Sequence, residues 1–294
     1  MDLAYLREHP QHLRTFLTHQ RIRETPVEGG SICRASRLTF DSGESIFVKE
    51  WPKGEAPQGF FHAEASGLRW LAETRSVAVP EVLVETSDLL GLEWVEHGEP
   101  TRAAAERFGR SLAAMHRAGA GGFGAGWAGF HGSAPMDNTP SGDPWHVWYS
   151  RRRLIPYLKM SRERKALTAT DGALVERVIG KLDGAGDEPP ARIHGDLWSG
   201  NLLWGADGRC WLVDPAAQGG HRETDLAYLM LWGGAPHLGT ILAAYQEVWP
   251  LADGWRERVP IHQLSMYLLH TALFGEAFAP GVRETAEACE RQSG

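Results

Sequence analysis

Asp196 and Asn201 stand five residues apart within His194-Gly195-Asp196-Leu197-Trp198-Ser199-Gly200-Asn201, and a second aspartate, Asp214, follows an apolar stretch. An acid, an amide and another acid in that order suit phosphoryl transfer. One carboxylate orients the attacking hydroxyl and accepts its proton, while two side-chain oxygens hold Mg²⁺ against a triphosphate. The run is close to the kinase catalytic loop His-Arg-Asp-Leu-x-x-x-Asn. An Asp-x-x-x-x-Asn spacing is common by chance, so the flanks must decide. Leu202-Leu203-Trp204 and Cys210-Trp211-Leu212-Val213 are apolar runs around Asp207-Gly208, a strong hairpin signal. With Asp207 and Gly208 as the two central turn residues, an unbulged ladder pairs residue 206 with 209 and Asn201 with Asp214. Directly opposed residues lie roughly 4.5–5.5 Å apart. The expected hairpin therefore delivers Asn201 and Asp214 side by side as oxygen ligands for Mg²⁺.

Upstream residues supply the remaining parts. Lys49 ends the strand-like run Ile46-Phe47-Val48-Lys49, as lysine does in the kinase strand Val-Ala-Ile-Lys, where its ammonium meets nucleotide phosphates. Glu64 shares a helix face with Leu68 and Leu71. That face is expected to pack inward and bring Glu64 to Lys49. Gly29-Gly30-Ser31 precedes the first expected strand and would let backbone amides approach phosphates, although it has neither the Gly-x-Gly-x-x-Gly nor the Walker pattern. No further histidine cluster in the sequence completes a zinc set, so His194 reads as a structural histidine propping the loop. Trp198, beside the base, offers a flat face to a sugar or its amine substituent.

The elements that must position these groups are legible in the periodicity. Residues 2–19 have helical spacing of leucines. Residues 36–40 and 45–49 read as strands joined at Asp41-Ser42-Gly43, followed by a helix over 59–74 and strands over 82–85 and 90–95. Beyond Gly98 the pattern is mainly helical, with Thr101 as N-cap and later helices over 145–160, 171–182, 224–232, 238–248 and 261–278. The stretch 119–144 is rich in Gly, Pro, Ser and Asn, yet its Trp127, Phe130 and His131 point to a functional loop rather than a linker. The expectation is an α+β, bilobal chain: a β-rich nucleotide-binding lobe over residues 1–95, then a mostly helical catalytic and substrate-binding lobe over 96–294.

Composition removes other classes. With 43% hydrophobic and 23% charged residues, the chain is an ordinary globular one. No run of about eighteen uncharged apolar residues is present, and the N-terminus lacks a basic region followed by an apolar one. A membrane-spanning or secreted protein is therefore not expected. The net charge of −7 argues against a nucleic-acid partner. Arg151-Arg152-Arg153 and Arg162-Glu163-Arg164-Lys165 read as solvated helix faces. Cys33, Cys210 and Cys289 are odd in number and widely spaced, which fits a reducing cytoplasm. The oligomeric state stays open.

Taken together, these residues resemble the fructosamine kinase, or ketosamine 3-kinase, family, part of the aminoglycoside-phosphotransferase branch of protein-kinase-like folds. Trp198-Ser199-Gly200 within the loop is the most specific match. Supporting matches run from Phe47-Val48-Lys49 through Asn138-Thr139 and Val213-Asp214-Pro215 to Glu223-Thr224-Asp225-Leu226-Ala227. The resemblance implies Asp196 as catalytic base, Asn201 and Asp214 as magnesium ligands, Lys49 on the phosphates of ATP and Glu64 orienting it. It also implies a hinge at Glu93, Trp94 and Val95 beside adenine, Asp225 buttressing the loop, and His131 and Asn138 in a substrate loop. The substrate would be a ketosamine, free or on a glycated lysine, phosphorylated on its 3-hydroxyl so that the adduct is shed. Two other readings share these motifs: an aminoglycoside, choline or related small-molecule kinase of the same fold, and an inactive nucleotide-binding scaffold. The chain departs from the family in having Ser31 after the loop glycines, with Cys33 two residues on, and a looser run over residues 132–138.

Overall fold

A computed structural model describes residues 3–17, 22–28, 32–182, 186 and 188–292. Gly29, Gly30 and Ser31 lie outside the described residues. The chain opens with two short helices, α1 (Leu3–Glu8) and α2 (Leu13–Leu17), where one helix was expected. The break falls at Pro10, whose ring removes the N–H an unbroken helix needs. Five antiparallel strands follow: β1 (Ile22–Pro26), β2 (Arg34–Phe40), β3 (Ser45–Glu50), β4 (Val82–Glu85) and β5 (Leu89–Glu93), ordered β1-β2-β3-β5-β4. β1 escaped the sequence reading because it is an edge strand, largely exposed, with no buried face to impose alternation.

Helix α3 (Phe60–Ala72) joins β3 to β4 and buries Phe61, Ala65 and Leu68 against Leu90 and Leu92 of β5. Gly67 on the same helix faces Ala217 and Pro215, where an added Cβ would stand 3.1 Å from the Ala217 methyl. Its lack of a side chain lets α3 close on the segment that follows Asp214.

The rest of the chain is mainly helical. α4 (Arg102–Arg117) is capped by Thr101, which accepts the Ala104 N–H at 3.1 Å. The 119–144 loop carries a small hairpin, β6 (Gly129–His131) and β7 (Ala134–Met136). Next come α5 (Trp145–Tyr149), a π-turn over Ser150–Leu154, α6 (Ile155–Glu163) and α7 (Ala169–Gly180). Short strands β8 (Ala191–Ile193), β9 (Leu202–Trp204), β10 (Cys210–Leu212) and β11 (Gln218–Gly220) surround the motif loop, with β9 paired to β10 and β8 to β11. α8 (Arg222–Tyr228), α9 (Leu238–Val248), α10 (Trp255–Phe274) and α11 (Ala279–Gln292) complete the chain. α10 starts six residues before the expected 261 and carries Pro260 inside it. The charged α11 was missed, although Val282, Ala286 and Cys289 are buried at helical spacing. The α+β architecture, sheet-rich first and helical afterwards, is as expected.

The arginine run needs a correction. Arg153 is 4% exposed rather than solvated. The π-turn rotates it inward, where it donates to Asn138 Oδ1 at 2.8 Å and to Gln218 Oε1, and lies 4.5 Å over Trp148. It ties the 119–144 loop to β11.

α4 and α9 share a core with β9 and β10. They meet tightly at Gly109, where an added Cβ would stand 2.3 Å from the Ile241 carbonyl oxygen. Gly109→Ala should therefore force the two helices apart and destabilise the protein by about 1–3 kcal/mol, measurable as a lowered urea midpoint with an unchanged slope. An unchanged midpoint would mean that the contact yields without cost.

Candidate active site

The motif loop is held by one buried carboxylate. Asp225, near the middle of α8, is fully buried; its Oδ2 accepts the His194 N–H at 2.7 Å and its Oδ1 accepts the Gly195 N–H at 2.9 Å. His116 Nε2 lies 3.1 Å from the same Oδ2, and His116 Nδ1 lies 2.9 Å from the Tyr245 hydroxyl of α9. Because an ionised carboxylate only accepts, Nε2 donates and the ring's other nitrogen accepts from Tyr245. Gly195 has φ +81°, and a side chain there would strike the Ala216 carbonyl. Only glycine suits both conditions. His194 is buried; its Nε2 donates to the Val213 carbonyl at 2.9 Å and its Nδ1 accepts the Asp196 N–H at 3.2 Å. Burial pulls its pKa down, which keeps the ring neutral and suits those two bonds.

Asp196 sits at the end of this scaffold. Asn201 Nδ2 donates to the Asp196 carbonyl at 2.7 Å and to its Oδ2 at 3.1 Å. The other carboxylate oxygen, Oδ1, is 3.2 Å from His131 Nε2. That pair is within ion-pair reach but is not aligned as a hydrogen bond. With its amide nitrogen turned toward Asp196, Asn201 has its oxygen left for another partner.

The hairpin register differs from expectation. Trp204 pairs with Cys210 and Leu202 with Leu212, so Asn201 lies opposite Val213, whose N–H reaches the Asn201 carbonyl at 3.2 Å. The turn has three residues, not two: Gly205 bonds to Arg209 across Ala206-Asp207-Gly208, with Gly208 at φ +75°. Such a loop, a turn closed by a left-handed glycine, is the next commonest hairpin connection. Asp214 lies one residue beyond the pairing and adopts φ +56°, a region that aspartate tolerates better than most side chains. Asn201 and Asp214 still line one cleft.

That cleft has a volume of about 540 Å³ and lies between the five-stranded sheet and the motif loop. It brings together eleven of the expected residues: Lys49, Glu64, Glu93, Trp94, Val95, His131, Asn138, Asp196, Trp198, Asn201 and Asp214. His194 and Asp225 are not among its lining and stand behind the loop. Val27, Glu28, Ile32 and Cys33, which flank Gly29-Gly30-Ser31 in sequence, also line it. Lys49 is buried, 2.8 Å from Glu64 Oε1 and ion-paired with Asp214. Burial alone would lower the Lys49 pKa, but the Asp214 and Glu64 carboxylates outweigh it and hold the ammonium charged. Burial pushes Glu64 up from the usual carboxylate range, against the pull of Lys49. It also drives the Cys33 thiol up to about 11, so this cysteine is protonated at neutral pH. The strand leading out of the sheet is pinned to the hairpin below, the Gly98 N–H donating to Trp204 O at 2.7 Å and the Ala206 N–H to Glu96 O at 2.8 Å.

A family model described as fructosamine kinase matches residues 7–292. The chain belongs to the fructosamine kinase family. Among its relatives, the probable ketoamine kinase of Enterococcus faecium is 32% identical over 272 residues, covering 89% of this chain and 93% of that one. The chloroplastic protein-ribulosamine 3-kinase of Arabidopsis thaliana is 33% identical over 262 residues, 86% of this chain and 78% of the relative. A crystal structure from Thermobifida fusca YX-ER1, provisionally assigned as a fructosamine-3-kinase, has 45% identity and a TM-score of 0.88, covering 95% of this chain and 98% of the other. An aminoglycoside phosphotransferase, with 15% identity and a TM-score of 0.64, shares the fold.

Within this fructosamine kinase fold, sequence reasoning missed Arg153, and it placed Gly200 in the motif without assigning it a role. Gly200 carries the Trp198 ring directly over its Cα, so that a Cβ would fall inside the indole. The motif marks the position but not the reason for glycine there, because the clash comes from a side chain folding back. Arg153 was masked by its place in a basic run.

Replacing Asp225 by Asn puts an amide nitrogen where an acceptor is needed. One of the two loop N–H groups then loses its partner in a fully buried setting, a loss of about 1.5–3 kcal/mol for a hydrogen bond to a charged group. Asp225→Asn should show this in urea denaturation. Stability equal to wild type would mean that the loop holds itself.

Proposed function

We propose that the protein is an ATP-dependent ketosamine 3-kinase. The observation that carries this reading is the convergence of Lys49 with Glu64, Asp196, Asn201 and Asp214 on one cleft. In this reading Asp196 is the base. The substrate's 3-hydroxyl oxygen forms a bond to the γ-phosphorus as the bond to the ADP oxygen breaks, and the hydroxyl proton passes to Asp196. Asn201 fixes that carboxylate's orientation, which is the positioning that a largely dissociative transfer demands. Lys49, held charged by its two carboxylates, meets the nucleotide phosphates. The main chain at Glu93, Trp94 and Val95 lies along adenine, and Gly29, Gly30 and Ser31, outside the described residues, keep the phosphate-binding role that the sequence implies. The division between nucleotide and acceptor sides is placed after Val95.

The donor set fits Mg²⁺. Asn201 has an oxygen uncommitted to Asp196, and the half-exposed Asp214 carboxylate offers hard oxygens. Bound there, the ion would supply positive charge to the phosphates as charge develops in transfer. On the acceptor side, Asn138 is oriented by Arg153, which takes its amide oxygen. Its Nδ2 is buried without a hydrogen-bond partner, and Asn138 lines the cleft. His131 and Trp198 flank the same place. The product, a ketosamine 3-phosphate, is unstable and sheds the sugar from the amine, which makes the process deglycation repair. The relatives named ketoamine kinase and ribulosamine 3-kinase support this choice of acceptor. No helix among the described residues is long and apolar enough to cross a membrane.

ADP release from ATP should appear with fructosyl- or ribulosyl-amines, disappear with EDTA, and fall by about 10²–10⁴-fold in Asp196→Asn, the usual worth of a general base. ADP should still stabilise that variant thermally, as in wild type. Turnover confined to kanamycin would transfer the reading to an aminoglycoside kinase, and undiminished turnover in the variant would overturn the role of Asp196.

A further inference from the structure

The cleft has an aromatic flank that phosphoryl transfer leaves unused. Trp198 stacks edge-on against Trp232 at 5.2 Å and 85°. Trp232 lies 4.8 Å from His270, which in turn contacts Phe274 at 5.4 Å and Phe278 at 5.0 Å. His270 and Phe274 are one helical turn apart on α10, as are Leu269 and Leu273, and all four line the cleft together with Trp198. Asp196 lines the same cleft; Trp232 is not among its lining and joins the flank through its contacts with Trp198 and His270.

Two properties set this flank apart from ordinary core. Among the described residues, four large hydrophobic side chains stand clearly exposed, and two of them, Trp232 at 40% and Phe274 at 47%, belong here. Trp232 also has φ +51° and ψ +45°, followed by Gly233 and Gly234, likewise at positive φ. A bulky residue in the left-handed region is an outlier, and strain of this kind collects at functional sites. Burial does not explain keeping a tryptophan there, since much of it is in solvent.

The charge distribution narrows what the flank accepts. Lys49 is the sole lysine or arginine lining the cleft among the described residues, and it is already held by Glu64 and Asp214. His270 is mostly enclosed and its pKa is lowered by burial, so the ring is neutral at neutral pH. Within the cleft an anionic group beside the flank meets no further lysine or arginine among the described residues; Arg164, outside the lining, is engaged with the Leu273 carbonyl. A cationic amine next to its aromatic faces is attracted, and an apolar substituent beyond it loses water contact.

Resting on the ketosamine-kinase reading, we infer that the wall formed by Trp198, Trp232, His270 and Phe274 is the subsite for the amine substituent of the ketosamine. It selects substituents that are apolar or aromatic over those with a carboxylate next to the nitrogen. With the sugar's 3-hydroxyl at Asp196, the amine and its substituent extend along the wall toward Trp232 and Phe274.

The test compares kcat/KM for the fructose adducts of benzylamine and of glycine, in wild type, Trp232→Gly and Phe274→Ala. Glycine is the residue that the left-handed backbone at 232 favours, so Trp232→Gly removes the side chain while relieving the backbone. Thermal unfolding with and without ADP checks that each variant is folded. The wild type should prefer the benzylamine adduct by tenfold or more, and each variant should cut that ratio at least threefold, mainly through KM for the benzylamine adduct. Equal use of both adducts by wild type, or an unchanged ratio in both folded variants, would overturn the subsite. If neither adduct is phosphorylated while another acceptor is, the reading of the reaction falls, and the subsite with it.

Discussion

The Asp225 carboxylate is where the helical part of the molecule meets its chemistry. It is fully buried, and an ionised carboxylate in that position is costly unless its oxygens are satisfied. Two backbone amides and one imidazole satisfy it, and all three come from other segments: the motif loop supplies His194 and Gly195, and α4 supplies His116. The demand of one charge for partners thus fixes the start of the loop relative to α8 and α4. His116 carries the constraint on to Tyr245 of α9, and the close approach of α4 and α9 at Gly109 makes that reach possible. Packing of three helices becomes the position of one aspartate, two residues further along the loop.

On the sheet side the corresponding constraint is the Lys49 ammonium. It is buried where burial disfavours its charge, and two carboxylates reverse that. One comes from α3 and one from the segment after the β9–β10 hairpin, so the ion pairs join the sheet to the helical part across the cleft. Gly67 permits the same closure from the helix side. A pair of this kind is weak support for overall stability. Its evident consequence is geometric, because it sets Lys49 and Asp214 within one site.

Much of this was legible in the residues. Asp196, Asn201 and Asp214 declared themselves by type and spacing, and Lys49 and Glu64 by their places on a strand and on an inward helix face. The elements that failed to show were those whose burial does not alternate. β1 is an exposed edge strand, and α11 hides three buried apolar residues, Val282, Ala286 and Cys289, among charges. Arg153 was unreadable for another reason. A π-turn shifts the facing of a side chain by a fraction of a turn, and no propensity reports where the extra residue falls. Gly200 owes its identity to Trp198 folding back onto it, a contact set by a rotamer rather than by spacing.

The hairpin shows how a wrong register left a useful expectation standing. A two-residue turn would have placed Asn201 and Asp214 opposite each other within the ladder. Asp207 and Gly208 instead belong to a three-residue turn, and in an ordinary extended strand the resulting one-residue slip would send Asp214 to the opposite face. The slip does not have that effect because Asp214 has left the extended region: at φ +56° it no longer obeys strand alternation, and its carboxylate returns to the cleft beside Lys49. Pro215 follows at once, and a proline steers the residue before it away from the right-handed helical region. The aspartate's tolerance of left-handed backbone is therefore as much a part of the site as its charge. Glutamate, with equal charge but less ease at positive φ, would not be an equivalent residue there.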